Sequence, residues 1–409
     1  MRFHHNAVPI VLAAVLIDTI GFGIVIPVLP RLITELGHVD LEQGARLAGY
    51  MLVLFSATQF VAGPIMGSLG DRFGRRRVLI ASMLAFAVDY ALMALAPTLA
   101  WLFVGRAIAG VAGAVYAPAM AVLTDVTPPE KRGAAYGLIG AAFGLGFIIG
   151  PAIGGLLAGF GPRAPFVAAG MLAAINALAM MVALPETLAT ENRRAFDWRA
   201  ATIVGAFRPL FAAGNAAALL GAWFLWQLAH MVYPATWSFW AVIRLGWDAP
   251  AIGWSLAFTG LCMAIVQMTL TGRAITRFGE RLTVVIGLVS GTIAFTAFAF
   301  VTQGWMVYAL FVVGAFQGFV FPAMNALLSH MVDADRQGAL QGGIASMSSV
   351  ASIIGPLVLS QALAAGTDHG FPGAAFLLAG LMATTALVII LTVVLRRRPR
   401  VQPLPVRPE

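Results

Sequence analysis

The chain has 409 residues, of which 60% are hydrophobic and only 10% charged, and its formal net charge is +8. So few charged residues cannot cover a water-soluble globule of this length, which excludes a soluble fold and places the chain in a bilayer. The positive charge does not indicate nucleic-acid binding, because the basic residues are spread over short loops instead of forming one patch.

Apolar runs of about 18 to 25 residues recur, each long enough to cross a hydrocarbon core of about 30 Å as a helix. The runs are continuous, and an open sheet could not satisfy its backbone hydrogen bonds in lipid. We predict an all-α integral membrane protein with twelve transmembrane helices in two pseudo-symmetric six-helix bundles. The predicted spans are 7–30, 45–66, 78–96, 99–123, 134–160, 166–184, 211–240, 251–271, 283–301, 305–328, 340–363 and 371–395.

The first span carries an acid near its middle, Asp18, followed by Gly21, Gly23 and Pro27. Helix-breaking residues loosen the backbone beside a cavity. A charge at bilayer depth costs at least about 2.5–3.5 kcal/mol, so such a residue normally faces a cavity and carries function. We predict that Asp18 binds the coupling proton or contacts the substrate; an acid that only packs is the alternative.

The loop after the second span reads Gly67-Ser-Leu-Gly-Asp71-Arg72-Phe73-Gly74-Arg75-Arg76-Arg77. Glycines allow helices to approach, an aspartate can accept hydrogen bonds from the start of a neighbouring helix, and arginines hold carboxylates and carbonyls. The alternative, that the arginines only keep this loop in the cytoplasm, does not explain the glycines and the aspartate. We predict a conformational latch comprising Gly67, Asp71, Arg72, Gly74, Arg75 and Arg76.

Two further charges lie within spans, Asp89 in the third and Arg106 in the fourth. These spans form a tight hairpin, and each residue lies about seven positions from its turn, so the two can pair at equal depth. Two roles stay open: a structural or gating ion pair, or direct handling of protons.

The longest polar interval, Pro185 to Pro209, divides the spans into two sets of six. We predict four segments: an N-terminal six-helix bundle over 1–184, a cytoplasmic linker over 185–209, a C-terminal six-helix bundle over 210–395 and a basic cytoplasmic tail over 396–409.

Polar side chains are sparse in the C-terminal spans. The best candidates for substrate contact, together with Gln59 in span two, are Gln227, His230, Gln267, Gln317 and Asn325. His230 could equally be a packed, hydrogen-bonded histidine. Aromatic residues also cluster on span seven; we expect most of them at headgroup depth and only Trp223 and Trp226 deep enough to stack on a substrate, although packing roles are as plausible for those two.

The chain contains one cysteine, Cys262, which we interpret as a small packing residue. No phosphate-binding loop, catalytic His/Cys pair in a loop or metal-ligand spacing is present in the sequence. We therefore predict neither an enzyme nor a metal site.

The latch loop recurs 205 residues later as Gly272-Arg-Ala-Ile-Thr276-Arg277-Phe278-Gly279-Glu280-Arg281. Ile148-Ile-Gly150-Pro151 recurs at the same offset as Ile353-Ile-Gly355-Pro356. A constant parallel offset indicates a duplicated membrane half. The counterparts of Asp18, Asp89 and Arg106 are Trp223, Ala294 and Phe311, so we expect proton handling in the N-terminal half and cargo adaptation in the C-terminal half.

Lysine and arginine are distributed unevenly between the loops. The loops after even-numbered spans, with both termini, carry twenty of them, whereas the remaining loops carry only Arg31, Arg46, Arg163 and Arg244. Because positive loops are retained in the cytoplasm, we expect both termini there.

The latch loop resembles the signature loop of the major facilitator superfamily, whose fold has twelve spans in two halves. Leu102-x-x-x-Arg106-x-x-x-Gly110-x-x-x-Ala114 resembles that superfamily's fourth-span motif, whose arginine is associated with proton coupling. Gly144-x-Gly146-x-x-x-Gly150-Pro151-x-x-Gly154-Gly155 resembles the fifth-span motif of drug/proton antiporters. The resemblance thus implies an antiporter motif at Gly146, Gly150, Pro151 and Gly154.

The likeness narrows at Asp18-x-x-Gly21-x-Gly23-x-x-x-Pro27-Val-Leu-Pro30, which is similar to the opening of bacterial tetracycline efflux pumps. Those pumps carry a functional histidine in span eight and an aspartate in span nine, where this chain has Met263 and Gly291. Losing both groups removes polarity and part of a proton route, which makes tetracycline itself doubtful as the cargo.

The resemblance implies a proton-coupled antiporter that exports a drug-like, largely apolar small molecule by alternating access. An uptake symporter, an exporter of an endogenous metabolite and a non-transporting receptor are the alternatives. No cofactor is expected: the proton motive force supplies the energy, although a cargo could arrive as a metal chelate. We expect a monomer in the bacterial inner membrane, with protons, a small-molecule substrate and lipid as its partners and no nucleic acid.

Overall fold

The computed structural model describes residues 7–113, 116–128, 131–193, 215–330 and 337–395. Within these ranges the regular structure is helical and contains no strand. The N-terminal half comprises α1 (Ala7–Val25), α2 (Leu29–Gly37), α3 (Leu41–Phe73), α4 (Arg75–Leu95), α5 (Leu99–Gly113), α6 (Tyr116–Val126), α7 (Arg132–Leu157) and α8 (Ala164–Ala183). The C-terminal half comprises α9 (Asn215–His230), α10 (Val232–Leu245), α11 (Ala249–Ile265), α12 (Thr271–Phe298), α13 (Gly304–Gly314), α14 (Val320–Ser329), α15 (Gln337–Asp368) and α16 (Ala374–Leu395).

The described helices correspond to twelve spans when each interrupted helix is counted as one span and the merged helix is counted as two. Among the described residues, 10 helices are long and apolar enough to cross a membrane, and one of these, Ala249–Phe298, contains 50 residues. That helix turns back at Gly279, whose φ of 74° is not helical, so it contains spans eight and nine. Span seven is missing from the 10 because a turn at Met231 divides it into α9 and α10.

Four spans are interrupted near their middles. A 3-10 turn at Ile26–Val28, with Pro27 inside it, separates α1 from α2, as the helix-breaking residues predicted. Span ten contains a 3-10 segment, Ala315–Phe319, and span eight a π-helical segment, Val266–Leu270. With the turn at Met231, these breaks place irregular backbone within the described parts of spans one, seven, eight and ten.

The predicted duplication is visible in backbone geometry and in an ion pair. Gly74 and Gly279 both adopt positive φ, 101° and 74°, at the turns after spans two and eight. Arg75 lies 3.5 Å from Asp125, and Glu280 lies 3.0 Å from His330. Positions 280 and 330 lie 205 residues beyond 75 and 125, so the two contacts occupy equivalent positions, with the carboxylate on the opposite partner. We call the side of the molecule that carries these two turns the loop face.

The predicted linker, 185–209, lies mostly outside the described residues, as does the 396–409 tail, so the segment boundaries stay predictions. The described start of the linker, Glu186 to Leu188, packs against the N-terminal half: Glu186 Oε1 accepts a hydrogen bond from the Arg75 amide at 2.9 Å, and Leu188 is buried.

Span seven's aromatic residues form the core of the C-terminal half. Trp223, Trp237 and Trp240 have 0% of their surface exposed and Trp226 has 3%. Trp237 donates to the Ser255 hydroxyl at 3.0 Å and packs against Phe311 with ring centroids 4.9 Å apart. The expectation of an interfacial aromatic belt was therefore wrong for Trp237 and Trp240. Burial in the bundle core excludes substrate stacking in this conformation for Trp223 and Trp226 as well.

Glycines on α7 bring spans one and five into backbone contact. A Cβ on Gly146 would lie 2.6 Å from the Thr19 Cβ, and one on Gly150 would lie 2.6 Å from the Ile20 carbonyl oxygen. A Cβ on Gly154 would collide with the Ile24 carbonyl. These positions repeat every four residues and so share one helix face. Only glycine permits two helices to cross this closely.

Replacing Gly150 by alanine is expected to destabilise the protein, because its Cβ has no room beside the Ile20 carbonyl. Overpacking of this kind costs about 1–3 kcal/mol, so the purified variant should unfold several degrees below the wild type in detergent.

Gly140→Ala, on the same helix, is the control, because no described atom lies within 4 Å of the added Cβ. It should unfold at or slightly above the wild-type temperature, because alanine is the better helix former. Equal unfolding temperatures for the two variants would show that the close crossing does not constrain this helix.

Candidate functional site

A cavity of about 370 Å³ lies between the two halves, bounded by α3 of span two and α15 of span eleven. It occupies the parts of these helices that are nearer the loop face. Its lining is mainly apolar surface, interrupted by polar side chains that carry no charge. The lining residues are Ser56, Gln59, Phe60, Gly63, Pro64, Ala345, Ser346, Ser348, Ser349 and Ser352.

The opposite face of the molecule is closed by contacts between spans two and eleven. Arg46 pairs with Asp368 at 2.7 Å, and Gln361 donates to the Tyr50 hydroxyl at 3.0 Å. A Cβ on Gly49 would collide with Ser360. The same helices that line the cavity therefore touch directly beyond it.

Spans five and eight close the same face on the other side. A Cβ on Gly155 would lie 2.8 Å from the Ala249 carbonyl oxygen, and one on Gly260 would lie 2.6 Å from the Ile148 side chain. Towards the loop face these contacts end: Gly63 and Gly67 on α3, and Gly140 and Gly144 on α7, have no described atom within 4 Å of an added Cβ. The described structure is open at the loop face and closed at the opposite one.

Asp89 and Arg106 are brought together, as predicted. Arg106 Nη2 donates to Asp89 Oδ2 at 2.8 Å, and Asp89 is 0% exposed. Asp89 Oδ1 and Arg106 Nε have no hydrogen-bond partner among the described residues. The pair is thus joined through one hydrogen bond, and one atom of each side chain remains available for a further hydrogen bond. This geometry is compatible with both roles, structural and proton-handling.

Asp18 is half-buried on α1 and has no hydrogen bond or ion pair within the described part of the chain. One turn further, Phe22 packs against Phe55 and Phe147 with ring centroids 6.0 and 5.9 Å apart. An aromatic contact between spans one, two and five therefore lies one turn from Asp18.

Tyr90 lies between the segments that carry these acids. It follows Asp89 directly in α4, and its hydroxyl lies 3.3 Å from the position of a Cβ on Gly21, one turn after Asp18.

The latch loop forms an ion-pair network at the loop face. Asp71 pairs with Arg75 one turn later at 2.5 Å, and Arg75 also approaches Asp125 at 3.5 Å. Arg72 lies over the Phe73 ring at 5.0 Å, and Arg76 donates to the Met181 carbonyl at 2.5 Å.

Two expectations for this loop were wrong. Asp71 contacts the start of the neighbouring helix through the Arg75 side chain, not through a backbone amide. The Arg75 amide donates to Glu186 instead, whose Oε1 accepts from the amides of Arg75, Thr187 and Leu188 at 2.9, 3.1 and 3.1 Å. Gly67 does not mediate helix contact, because its surroundings are open among the described residues. Gly74 is required by its φ of 101° and because Glu186 lies against it.

The predicted substrate residues divide between the cavity and the C-terminal core. Gln59 lines the cavity and donates to the Gly113 carbonyl at 3.0 Å, and Gln227 lies behind the lining, donating to Ser348 at 3.2 Å. Asn325 donates to the Phe321 carbonyl of its own helix at 2.9 Å.

The other three predicted substrate residues lie outside the cavity lining. His230 packs between Trp226 and Tyr233, with ring centroids 6.0 and 5.7 Å away. Gln317 is buried, and Gln267, on the π-helical segment, would lie 3.2 Å from a Cβ on Gly318. The substrate-contact roles of all six residues stay predictions.

The cavity's serines were missed by the sequence analysis. Four of them, Ser346, Ser348, Ser349 and Ser352, fall within seven residues of an otherwise apolar span. This clustering was a usable signal. Single serines are common in membrane helices, and only their shared orientation distinguishes these.

The structure explains the glycine in span nine. A Cβ on Gly291 would lie 2.5 Å from Trp226 Cη2 and 3.6 Å from the Gln317 Cβ. The indole of Trp226 therefore occupies the space that an acidic side chain at this position would need. Met263, the other position of departure, is half-buried in span eight.

A family model described as Major Facilitator Superfamily matches residues 11–248 and 227–409. The class C tetracycline resistance protein of Escherichia coli is 40% identical over 361 residues, 88% of this chain and 90% of that protein. The class G protein of Vibrio anguillarum is 39% identical, over 85% of this chain and 88% of its own. The crystal structure of the D323A mutant of the nucleoside transporter NupG superposes with a TM-score of 0.78 at 14% identity, covering 95% of this chain and 99% of that one.

Breaking the buried ion pair should destabilise the protein more than removing both partners. Asp89→Asn and Arg106→Gln each leave one buried charge without its partner, at a cost of about 3–5 kcal/mol. The double variant Asp89→Asn with Arg106→Gln should unfold at a higher temperature in detergent than either single variant. Strictly additive losses in this double-mutant cycle would contradict a direct interaction.

Proposed function

We propose that this chain, which belongs to the major facilitator superfamily as a relative of the bacterial tetracycline resistance proteins, exports a drug-like, largely apolar small molecule in exchange for protons. The observation that carries the proposal is a cavity between the halves, open at one face, in a chain whose first span carries an acid, Asp18, that has no hydrogen bond or ion pair among the described residues. The fold and the relationship make it a multi-pass bacterial membrane transporter rather than an enzyme.

The proposed orientation places the loop face and both termini in the cytoplasm, because the loops there carry most of the lysine and arginine. With this orientation the described conformation is open inward. Transport by alternating access would then require separation of spans two and eleven, and of five and eight, at the outer face. The substrate path lies within one chain, which favours a monomer.

The proton supplies the energy. One charge moving inward across 100 mV releases about 2.3 kcal/mol before any pH gradient is added. Tight coupling of one proton to one substrate therefore sustains roughly fiftyfold accumulation. Asp18 is the proposed carrier of the proton, and the Asp89–Arg106 pair supports it through Tyr90. No cofactor is needed for this cycle.

The cargo differs in part from that of the relatives. The relatives are tetracycline resistance proteins, but Trp226 and Gly291 remove an acidic position from span nine in this chain. Among the described residues, the cavity lining contains no carboxylate or imidazole. This favours an uncharged or weakly basic molecule over a metal chelate held by acidic groups. A drug-susceptibility panel in a pump-deficient host, pairing tetracyclines with unrelated lipophilic drugs, identifies the class.

Proton-coupled uptake is the second candidate, since the same architecture works in both directions. The fifth-span glycines favour export, because the resemblance they carry is to antiporters. Substrate accumulation in everted vesicles on energisation indicates export, whereas accumulation in right-side-out vesicles indicates uptake.

Asp18→Asn should abolish uphill transport, because the amide retains the shape of the acid but cannot exchange a proton. Everted vesicles carrying the variant should show no substrate accumulation on energisation. The amount of protein in the membrane and its unfolding temperature should stay at wild-type values.

Glu35→Gln is the matched control. Glu35 belongs to an exposed ion pair with Arg31 at 2.6 Å, and pairs of this kind contribute little. This variant should transport normally. Undiminished accumulation with Asp18→Asn would remove Asp18 from the mechanism.

A further inference from the structure

We propose that the cavity binds the hydrogen-bond-donating part of the cargo through a wall of serine oxygens on span eleven, facing Ser56 and Gln59 on span two. We call Ser346, Ser349 and Ser352 the serine wall. The proposal rests on the export function above and names the chemistry of the cargo that this site selects.

Each hydroxyl of the serine wall has its proton committed to the helix backbone. Ser346 donates to the Gly342 carbonyl at 2.9 Å, Ser349 to the Ala345 carbonyl at 3.0 Å and Ser352 to the Ser348 carbonyl at 2.9 Å. A hydroxyl has one donor and two acceptor lone pairs. What these three oxygens offer to the cavity is therefore acceptor capacity.

Across the cavity, Ser56 is 9% exposed, lines the same space and has no hydrogen-bond partner among the described residues. A hydroxyl that faces a cavity without a protein partner is available to a ligand or to water there. Gln59 donates its amide to Gly113, which leaves its carbonyl oxygen as a further acceptor in the lining.

Ser348 supplies a hydroxyl of different character. Its oxygen accepts from Gln227 Nε2 at 3.2 Å, so its own proton remains available. The inventory is thus two available donors, at Ser56 and Ser348, against at least four acceptors. This excess of acceptors is the feature that selects a ligand.

The lining contains no charged side chain, and Phe60, Pro64 and Ala345 provide apolar surface between the polar groups. A carboxylate or phosphate would bring only acceptors to a wall that already presents acceptors. A molecule that carries several hydroxyl, enol, amide or amine hydrogens on an apolar frame satisfies both kinds of surface. The inferred cargo class is such a donor-rich, non-anionic amphiphile.

Alanine substitutions test the serine wall without disturbing the fold, because alanine is the better helix former. The probes are metal-free tetracycline, a test ligand rich in hydroxyl and amide donors that is assayed with a chelator present, and tetraphenylphosphonium, an apolar cation with no hydrogen-bond donor. Binding of each to the purified protein gives Kd, and everted vesicles report proton-coupled transport of each.

Each of Ser346→Ala, Ser349→Ala and Ser352→Ala is expected to raise the Kd for tetracycline about threefold to tenfold, and the triple variant at least about thirtyfold. The Kd for tetraphenylphosphonium should change less than about twofold. Ser349→Thr, which keeps the oxygen, should bind tetracycline more tightly than Ser349→Ala.

The control is Thr385→Ala. Thr385 lies on span twelve, is exposed and makes the same backbone hydrogen bond, to the Leu381 carbonyl at 2.8 Å. It should leave both Kd values unchanged.

The proposal is overturned if the triple variant binds tetracycline as the wild type does, or if the wild type binds tetraphenylphosphonium only or neither probe. Proton-coupled transport by the wild type in those cases keeps the export function and discards only the serine wall. If the wild type transports no compound of the drug panel in a proton-coupled way, the export function itself is overturned.

Discussion

Backbone contact between the two halves at one face is the constraint on which the rest of the structure depends. Gly49 against Ser360, and Gly155 against Ala249, bring helices from opposite halves to distances that no larger side chain allows. The Arg46–Asp368 pair adds a charge contact at the same face. Because the halves are held there, they separate towards the loop face, and the separation creates the cavity.

The two halves share one arrangement of helices but differ in the side chains that pack between them. In the N-terminal half, Asp89 and Arg106 form a buried ion pair, whereas their counterparts Ala294 and Phe311 lie in a closed aromatic core. The core is continuous with Trp226, which takes the space beside Gly291. One half therefore contains a buried ion pair where the other contains a packed aromatic core.

Much of the fold could be predicted from the sequence, because its signals are either repeated along the chain or are charged residues that are energetically costly to bury in a membrane. Twelve apolar runs, the 205-residue offset and the depth of Asp89 and Arg106 follow from hydropathy and counting. The partner of the latch could not be predicted in this way. Glu186 lies 111 residues from Arg75, and only the folded hairpins bring them together. The burial of Trp237 and Trp240 was also missed, since an aromatic residue near a span end suits either a headgroup or a core.

In the proposed orientation, the cavity of the described conformation communicates with the cytoplasm and is sealed from the outside. In a Cys262→Ser background, Gly63→Cys places a thiol in the cavity and Ser360→Cys places one at the sealed face. A membrane-impermeant thiol reagent, applied separately to everted and right-side-out vesicles, measures access to each. We expect Gly63→Cys to react only in everted vesicles and Ser360→Cys to react in neither. Reaction of Gly63→Cys in right-side-out vesicles alone would contradict the closed face, the orientation, or both.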